Sequence, residues 1–557
     1  MTALDRNQTG AENLIPFAIT LDVGSSLENR TGSWRSERPV YVDLLPPCNK
    51  QCPAGENIQQ WLYYAEEGHY EQAWREIMVN NPLPAIMGRV CYHTCQTACN
   101  RAQVDEAVGI NAIERFLGDK ALEEGWKVKI NVPKSGKRVL VVGSGPSGLS
   151  AAYHLACLGH DVTVRDAGEK PGGMMRYGIP SYRLPRGILD GEIQRIADMG
   201  VTFEQGVTVE NAEAALEEFD AVFTAVGAGL GKNVNIPAGD ANKIMDAVTM
   251  LRDVEHSGDA EDGDKPMLGR RVVVYGGGNT AVDAARSAKR LGASESVIVY
   301  RRTRDRMPAH DFEVQEAEEE GIQLRWLSTI DSVDAQGTIK IEKMELDENG
   351  FPQPTGEYEE LPADAVVMAV GQESDLSLFE GVEGVDVSRG SVAVSQQMMT
   401  GRSGLFAGGD MIDAERNVTV AIGHGKKAAR YIDAWLRGEE YVPAPKHGDA
   451  TIDRMETWYY SDAPQQVREK LEGARRSGTF DEVVQGLDER SALFEARRCM
   501  SCGNCFGCDN CFGVCPDNAV TKIKAGEYEF KYDYCKGCGV CAEECPCGAI
   551  SMVPEDI

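Results

Sequence analysis

Long apolar runs are missing from this sequence of 557 residues: no stretch of about 18 apolar residues occurs, and the opening MTALDRNQTGAENL has no basic segment followed by an apolar one. Neither a membrane span nor an export signal is expected, and the protein is predicted to be cytoplasmic with no membrane partner. Positive charge is also scarce. Against 87 Asp and Glu stand 57 Lys and Arg, a formal net charge of -30 and a pI near 4.8. A surface this acidic repels phosphate backbones and anionic lipid, so nucleic acid is not an expected partner, whereas a protein with a basic patch is compatible. Low-complexity tracts are absent. With 42% apolar residues and 59 Gly the composition is that of an ordinary α/β globular protein, and the length corresponds to roughly three or four domains.

Cysteine is what the sequence has in excess, 17 in all. Disulfide frameworks belong to short secreted domains, so a long chain without an export signal points instead to metal or redox use. The distribution is uneven: Cys48, Cys52, Cys91, Cys95 and Cys99 lie near the start and eleven lie between Cys499 and Cys547. Cys157 stands alone in the apolar stretch AAYHLACLG and reads as a small buried hydrophobe. CFGCDNCFGVCP (Cys505, Cys508, Cys511, Cys515) and CKGCGVCAEECP (Cys535, Cys538, Cys541, Cys545) both fit CxxCxxCxxxCP, the two-cluster ferredoxin spacing. In that pattern three thiolates grip one face of a 4Fe-4S cube and the fourth crosses to the other cluster. Cys505, Cys508, Cys511 and Cys545 are therefore expected on one cluster, and Cys535, Cys538, Cys541 and Cys515 on the second. Zinc knuckles are the rival reading, but zinc does not require a proline after the fourth cysteine.

Two segments have dinucleotide-binding character. KRVLVVGSGPSGLSAAYHLACLGHDVTVRD (137–166) runs strand, GxGxxG (Gly143, Gly145, Gly148), helix, strand, and ends on Asp166. Such glycines permit a tight turn and close approach of a pyrophosphate to the helix N-terminus, and the terminal carboxylate suits an adenosine ribose. GEKPGGMMRYG, with Gly173, follows it, and GLFAGGDM with Asp410 comes much later. RRVVVYGGGNTAVDAARSAKRLGASESVIVYRR repeats the pattern as GxGxxA (Gly276, Gly278, Ala281, with Asn279 and Thr280 opening the helix) but ends on Arg301 and Arg302, with Arg304 and Arg306 close behind. Guanidinium groups pair with a 2'-phosphate that a carboxylate would repel, which favours NADP(H), with NAD(H) as the alternative. Hydride transfer from nicotinamide to flavin rests on positioning, so no catalytic side chain is named.

The early GxGxxG together with GLFAGGDM resembles two-dinucleotide-binding-domain flavoproteins. That resemblance implies FAD in the first site, Asp410 near the flavin ribityl-phosphate region, and the helix beginning near Thr419 with its positive end toward the flavin ring. Residues 45–440, including LPPCNKQCPAG, NNPLPAIMGRVC and GINAIERFLGDKALEEGW, resemble the small subunit of NADPH-dependent glutamate synthase and the equivalent half of dihydropyrimidine dehydrogenase. The family places two 4Fe-4S clusters in this N-terminal domain, one with a Gln or Glu ligand, which by position is Glu114. It also opens the domain with a segment like EAxRCLxCGN, and this chain has no cysteine before Cys48. The missing segment matches FEARRCMSCGNC at 494–505. We therefore expect Cys499 and Cys502 to fold back and join Cys48 and Cys99 on one cluster, with Cys52, Cys91, Cys95 and Glu114 on the other, for four 4Fe-4S clusters in all; in the alternative they are idle and three clusters form.

The expected architecture is α/β with two Rossmann-like domains. A 1–40 extension precedes a helical iron-sulfur domain at 41–132, FAD binds to 133–250 with 395–437, NADPH binds to 251–394, 438–498 is a helical linker, and 499–557 is ferredoxin-like. The resemblance implies an electron-transfer enzyme exchanging electrons between NADPH and a protein partner in a hetero-oligomer. ENRTGSWRSERPVYVD and CKGCGVCAEECPCGAISM resemble the ends of the delta subunit of 2-oxoacid:ferredoxin oxidoreductases and so favour that partner. Dissimilatory sulfite reductase, a glutamate synthase large subunit, and a non-enzymatic carrier role are the alternatives.

Overall fold

The structure is a computed structural model that describes residues 30–232, 236–237, 243–257, 265–334, 337–524 and 526–555. The first 29 residues of the expected extension lie outside the described residues. In the helical domain, α1 (Ile58–Glu66) buries Ile58, Trp61, Leu62 and Ala65, a stripe at helical spacing. That stripe packs on Ala73 and Ile77 of α2 (Tyr70–Met78) and, beyond α3 (Pro84–Val90), on Ile113 and Leu117 of α4 (Ile110–Glu123). Helices α3 and α4 touch backbone to backbone, and a Cβ at Gly88 or Gly118 would overlap Arg115 or Ala85. On the other side Trp74, Met78, Leu83 and Ile86 merge with the core of the first sheet, so the helical domain is built onto the flavin-type domain.

Strands such as RVLVV and AVFT are buried along nearly their whole length, as parallel strands covered on both faces must be. They belong to a five-stranded parallel sheet ordered Leu405–Ala407, Ala221–Thr224, Arg138–Val142, Asp161–Asp166, Thr202–Gln205, with α5 (Pro146–Cys157) as its first crossover helix. The second sheet is also parallel, ordered Gln323–Arg325, Glu295–Val299, Arg271–Tyr275, Ala365–Met368, Lys243–Asp246, with α6 (Asn279–Arg290) as its crossover. Lys243–Asp246 already pairs in this second sheet, so the second domain begins before 251. Leu378, Phe379, Val382 and Val392 join the first core, so the chain has returned to the first domain before 395. Helix α7 (Val418–Arg437) then closes that domain, capped by Asn417 at its start and by Gly438 in the left-handed conformation at its end.

Residues 438–498 are mostly irregular chain. Their α-helices are Gly473–Gly478 and α8 (Glu489–Ala496), and the rest is a strap held by hydrogen bonds to all three preceding domains. Arg101 Nη2 donates to Ser461 O at 2.8 Å, Arg468 Nη1 to Gly88 O at 3.1 Å, Val483 N to Tyr182 O at 2.9 Å, and Arg476 pairs with Glu319 at 2.9 Å. In the ferredoxin-like domain, the C-terminal strand Ile550–Pro554 pairs antiparallel with Glu37–Tyr41. Arg35, expected in the extension, and Tyr41, expected to open the helical domain, are thus both part of this domain: Arg35 pairs with Glu555 at 2.6 Å and the Tyr41 ring stacks on Phe530 at 4.7 Å.

Candidate functional site

The first glycine-rich turn divides its glycines by task. Gly143 has φ 104° and a Cβ there would overlap Ala225 O, while one at Gly148 would overlap Gly143 O. Those two are required by the protein's own packing. At Gly145 a Cβ would meet nothing nearer than Gly173 Cα at 4.0 Å, which leaves room for a phosphate to approach the backbone. Asp166 accepts from Ser144 N at 2.6 Å, Ser144 Oγ at 2.7 Å and Gly168 N at 2.7 Å, tying the turn to the strand end where a ribose would sit. Gly143, Gly145, Asp166, Gly173 and Asp410 line one cavity of about 640 Å³, room enough for a dinucleotide. Burial pushes the Asp410 carboxyl up to about 6.

The N-terminal turn of α7 faces this cavity through Asn417, Val418 and Ala421, with the positive end of its dipole inward. Thr419 turns the other way. Its hydroxyl donates to Cys91 Sγ at 3.2 Å, so the residue expected beside the flavin instead joins the flavin helix to a cysteine of the helical domain.

The second turn opens into the same cavity. Gly276 has φ 151° and a Cβ there would overlap Ala369 O, whereas one at Gly278 would meet nothing within 4 Å. Asn279 and Thr280 line the cavity, and Ala281 is packed into the domain core. Arg301, Arg302 and Arg306 lie beyond the second strand, outside the cavity lining. Arg301 and Arg306 are exposed, the Arg302 guanidinium lies 5.9 Å from the Phe351 ring centroid, and Arg304 is engaged by Glu318 at 2.8 Å. Between the two domains Arg183 bonds Asp283 at 2.7 Å and also Glu313.

Fifteen of the cysteines, all but Cys157 and Cys547, form four groups. Cys48, Cys99, Cys499 and Cys502 ring a small cavity closed by Leu62, Val108 and Ile110. Helix α8 delivers the distant pair: Glu495 Oε1 accepts from Gly109 N at 2.6 Å, Gln59 Nε2 donates to Ser501 Oγ at 3.1 Å and Leu44 N to Gly503 O at 3.0 Å. Burial and the neighbouring thiols push the Cys48 and Cys499 thiols up, and burial takes Cys502 to about 12. Thiols that resist ionisation unaided yet converge in one place fit a group that brings its own positive charge.

Cys52, Cys91 and Cys95 are likewise raised, by burial and then by one another and by Glu114 and Glu56. Both carboxyls are buried and share Asn81, whose Nδ2 donates to Glu114 Oε1 at 2.8 Å and Glu56 Oε1 at 3.0 Å. Cys515, Cys535, Cys538 and Cys541 line a second small cavity, and Cys505, Cys508, Cys511 and Cys545 are mutual neighbours, in the crossed pattern of the sequence motif. Among the described residues no three His, Cys, Asp or Glu side chains converge closely enough to hold a single metal ion.

Sequence reasoning missed four participants. Glu56 follows the CPAG segment as an ordinary acid, and Tyr41, whose hydroxyl lies 3.3 Å from Cys511 Sγ, sits in an unremarkable strand. Lys426 is buried on α7, its ammonium donating to Ala54 O, to Gly55 O at 3.3 Å and to Asn80 Oδ1 at 3.1 Å, and burial lowers its pKa to about 8. Tyr92 lines the flavin cavity although it belongs to the helical domain.

Residues 137–425 match the pyridine nucleotide-disulphide oxidoreductase family, 34–126 the dihydropyrimidine dehydrogenase domain II with its 4Fe-4S cluster, and 528–551 the 4Fe-4S binding domain. The beta subunit of the NADP(+)-dependent formate dehydrogenase of Moorella thermoacetica is 35% identical over 82% of this chain and 71% of its own. The beta subunit of the NADPH-Fe(3+) oxidoreductase of Geobacter sulfurreducens is 31% identical over 83% and 76%, and the small chain of the NADPH glutamate synthase of Azospirillum brasilense 33% over 72% and 88%.

Proposed function

Because the chain belongs to the pyridine nucleotide-disulphide oxidoreductases and is built like a glutamate synthase small subunit with added 4Fe-4S domains, we propose that it exchanges electrons between NADPH and a protein partner. The observation that carries this reading is the single cavity joining both glycine-rich turns, with Cys91 one hydrogen bond behind its wall. A flavin bound at the Gly143 turn supplies the conversion between hydride and the single electrons that 4Fe-4S clusters carry. The protein's own part is positional: Gly145 and Gly278 admit the pyrophosphates, Asp166 and Asp410 face the flavin nucleotide, and the start of α7 offers its positive end to the ring.

The four thiol groups are proposed to hold four 4Fe-4S clusters. Cys52, Cys91, Cys95 and Glu114 stand nearest the flavin cleft, followed by Cys48, Cys99, Cys499 and Cys502 and then the ferredoxin-like pair. Tyr460, raised by burial and by Cys547, Cys502, Cys499 and Cys508, lies between the second and third groups. Arg301 and Arg302 favour NADP(H) over NAD(H).

As partner we propose the catalytic subunits of a 2-oxoacid oxidoreductase, on the delta-like sequence at the two ends, which pair as one sheet. The formate dehydrogenase relative supplies a second reading, a formate-oxidising partner. Anaerobic reduction of ferricyanide by the purified holoprotein tests the enzyme reading: NADPH should support it far better than NADH, and no reduction with either would leave a passive carrier. Co-purification from the native host distinguishes the partners.

A further inference from the structure

The turn between α3 and Cys95 faces two ways. Val90 and Tyr92 line the flavin cavity, and Cys91 between them accepts the Thr419 hydroxyl on the other side. His93, next in the chain, is left-handed at φ 43° and ψ 48°, a conformation uncommon for a residue with a Cβ, and it turns the chain sharply into the helix Thr94–Thr97. The phenol crosses the cleft between domains. Its oxygen accepts from Asn279 Nδ2 at 2.5 Å, and its ring stacks on His310 with centroids 3.7 Å apart and planes 24° apart. Asn279 is the first residue of α6, and its Oδ1 also accepts from His310 N at 3.0 Å. The iron-sulfur domain thus reaches into the second dinucleotide domain at the very turn that would carry the pyrophosphate.

Hydride transfer requires reacting atoms within about 3.5 Å. A nicotinamide whose pyrophosphate rests on the Gly278 turn must extend from Asn279 toward the Gly143 and Asp410 side of the cavity, which Tyr92, bonded to Asn279, lines as well. We propose that Tyr92 gates the nicotinamide: the incoming ring displaces the phenol from Asn279 and takes its place against His310. The inference rests on the reading of the second turn as the NADP(H) site. It follows that part of the affinity for the nicotinamide half is offset by opening the gate, while the adenosine half binds without that cost.

The test uses the oxidised full-length holoprotein, with iron and flavin content matched to wild type, and two ligands. One is NADP+, which carries the nicotinamide, and the other is adenosine 2',5'-bisphosphate, which lacks it; affinities are read by calorimetry and by the perturbation of the flavin spectrum. Tyr92→Ala should tighten NADP+ binding about fivefold and leave the bisphosphate unchanged, and Tyr92→Phe, which keeps the stack and loses the Asn279 bond, should tighten it about twofold. Unchanged or weaker NADP+ binding in Tyr92→Ala, or an equal shift for both ligands, would overturn the gate. Failure of wild type to bind the bisphosphate at all would instead overturn the NADP(H) reading and the gate with it.

Discussion

Glu320 has its side chain wholly buried among three guanidiniums, Arg286 at 2.7 Å, Arg290 at 2.7 Å and Arg476 at 3.4 Å. Burial alone would raise its carboxyl, but the bonds from Arg290 and Arg286 hold it at about 2, below the ordinary 4.5. A carboxyl with a lower pKa folded than unfolded stabilises the fold above the unfolded value, and that contribution fades as pH falls through the folded one. Glu320→Gln should therefore destabilise the second domain at neutral pH, on the order of 3–5 kcal/mol for a broken buried pair. Calorimetry from pH 7 to 2 should also show a flatter acid limb in the variant; an identical limb would mean that this charge does not govern acid stability. Lys426 acts at the same scale on the cofactor side. Its ammonium sits beside the Cys52 loop, where positive charge favours the more anionic, reduced state of a cluster. Lys426→Met should lower the reduction potential of the cluster nearest the flavin, read by potentiometric titration with electron paramagnetic resonance, and an unmoved potential would show that the cation is screened from it.

At the scale of elements, the glycine-rich turns make contrasting demands. Gly148→Ala would drive a methyl into Gly143 O, distorting the strand-to-helix turn, so the purified variant should carry little FAD. Gly278→Ala meets no protein atom and should fold with full FAD, yet its methyl would occupy pyrophosphate space and raise the NADPH KM about tenfold or more. If both variants behaved alike, the assignment of the second turn would be wrong. These turns were legible in the sequence because the restriction is local: a few backbone angles and close approaches leave only glycine. The phase of α7 was not legible. Whether Thr419 or Val418 faces the flavin depends on where Asn417 caps the helix and on how Gly423 and Gly425 pack against Pro53 and Ser147. The course of the strap 438–498 is not legible for a related reason, since its polar residues are fixed by partners hundreds of positions away rather than by helical periodicity.

At the scale of the molecule, the chain is closed on itself. Glu37–Tyr41 pairs with Ile550–Pro554, Leu44 bonds Gly503, and α8 packs Ala496 into the helical core. Tyr41 and Tyr92 could not be picked out from sequence, because their roles come from contacts that only this closure or the domain docking creates. The counting of cysteines was different: a deficit of two at one end and a surplus of two at the other pointed to the same closure, and the structure brings Cys499 and Cys502 to Cys48 and Cys99. The double variant Cys499→Ala with Cys502→Ala should then lose one cluster, lowering iron from about sixteen to about twelve per chain. Flavin content and NADPH-dependent ferricyanide reduction should persist, because the cleft and the Cys91 group lie on the flavin side of the gap. Reduction of the ferredoxin-like clusters by NADPH, followed by rapid-freeze electron paramagnetic resonance, should slow sharply, since their nearest donor is gone. Cys157→Ala, at a thiol outside all four groups, should leave iron and both rates unchanged. Were iron to stay near sixteen in the double variant, the two thiols would be bystanders to ligation, and the meeting of the chain ends would be structural alone.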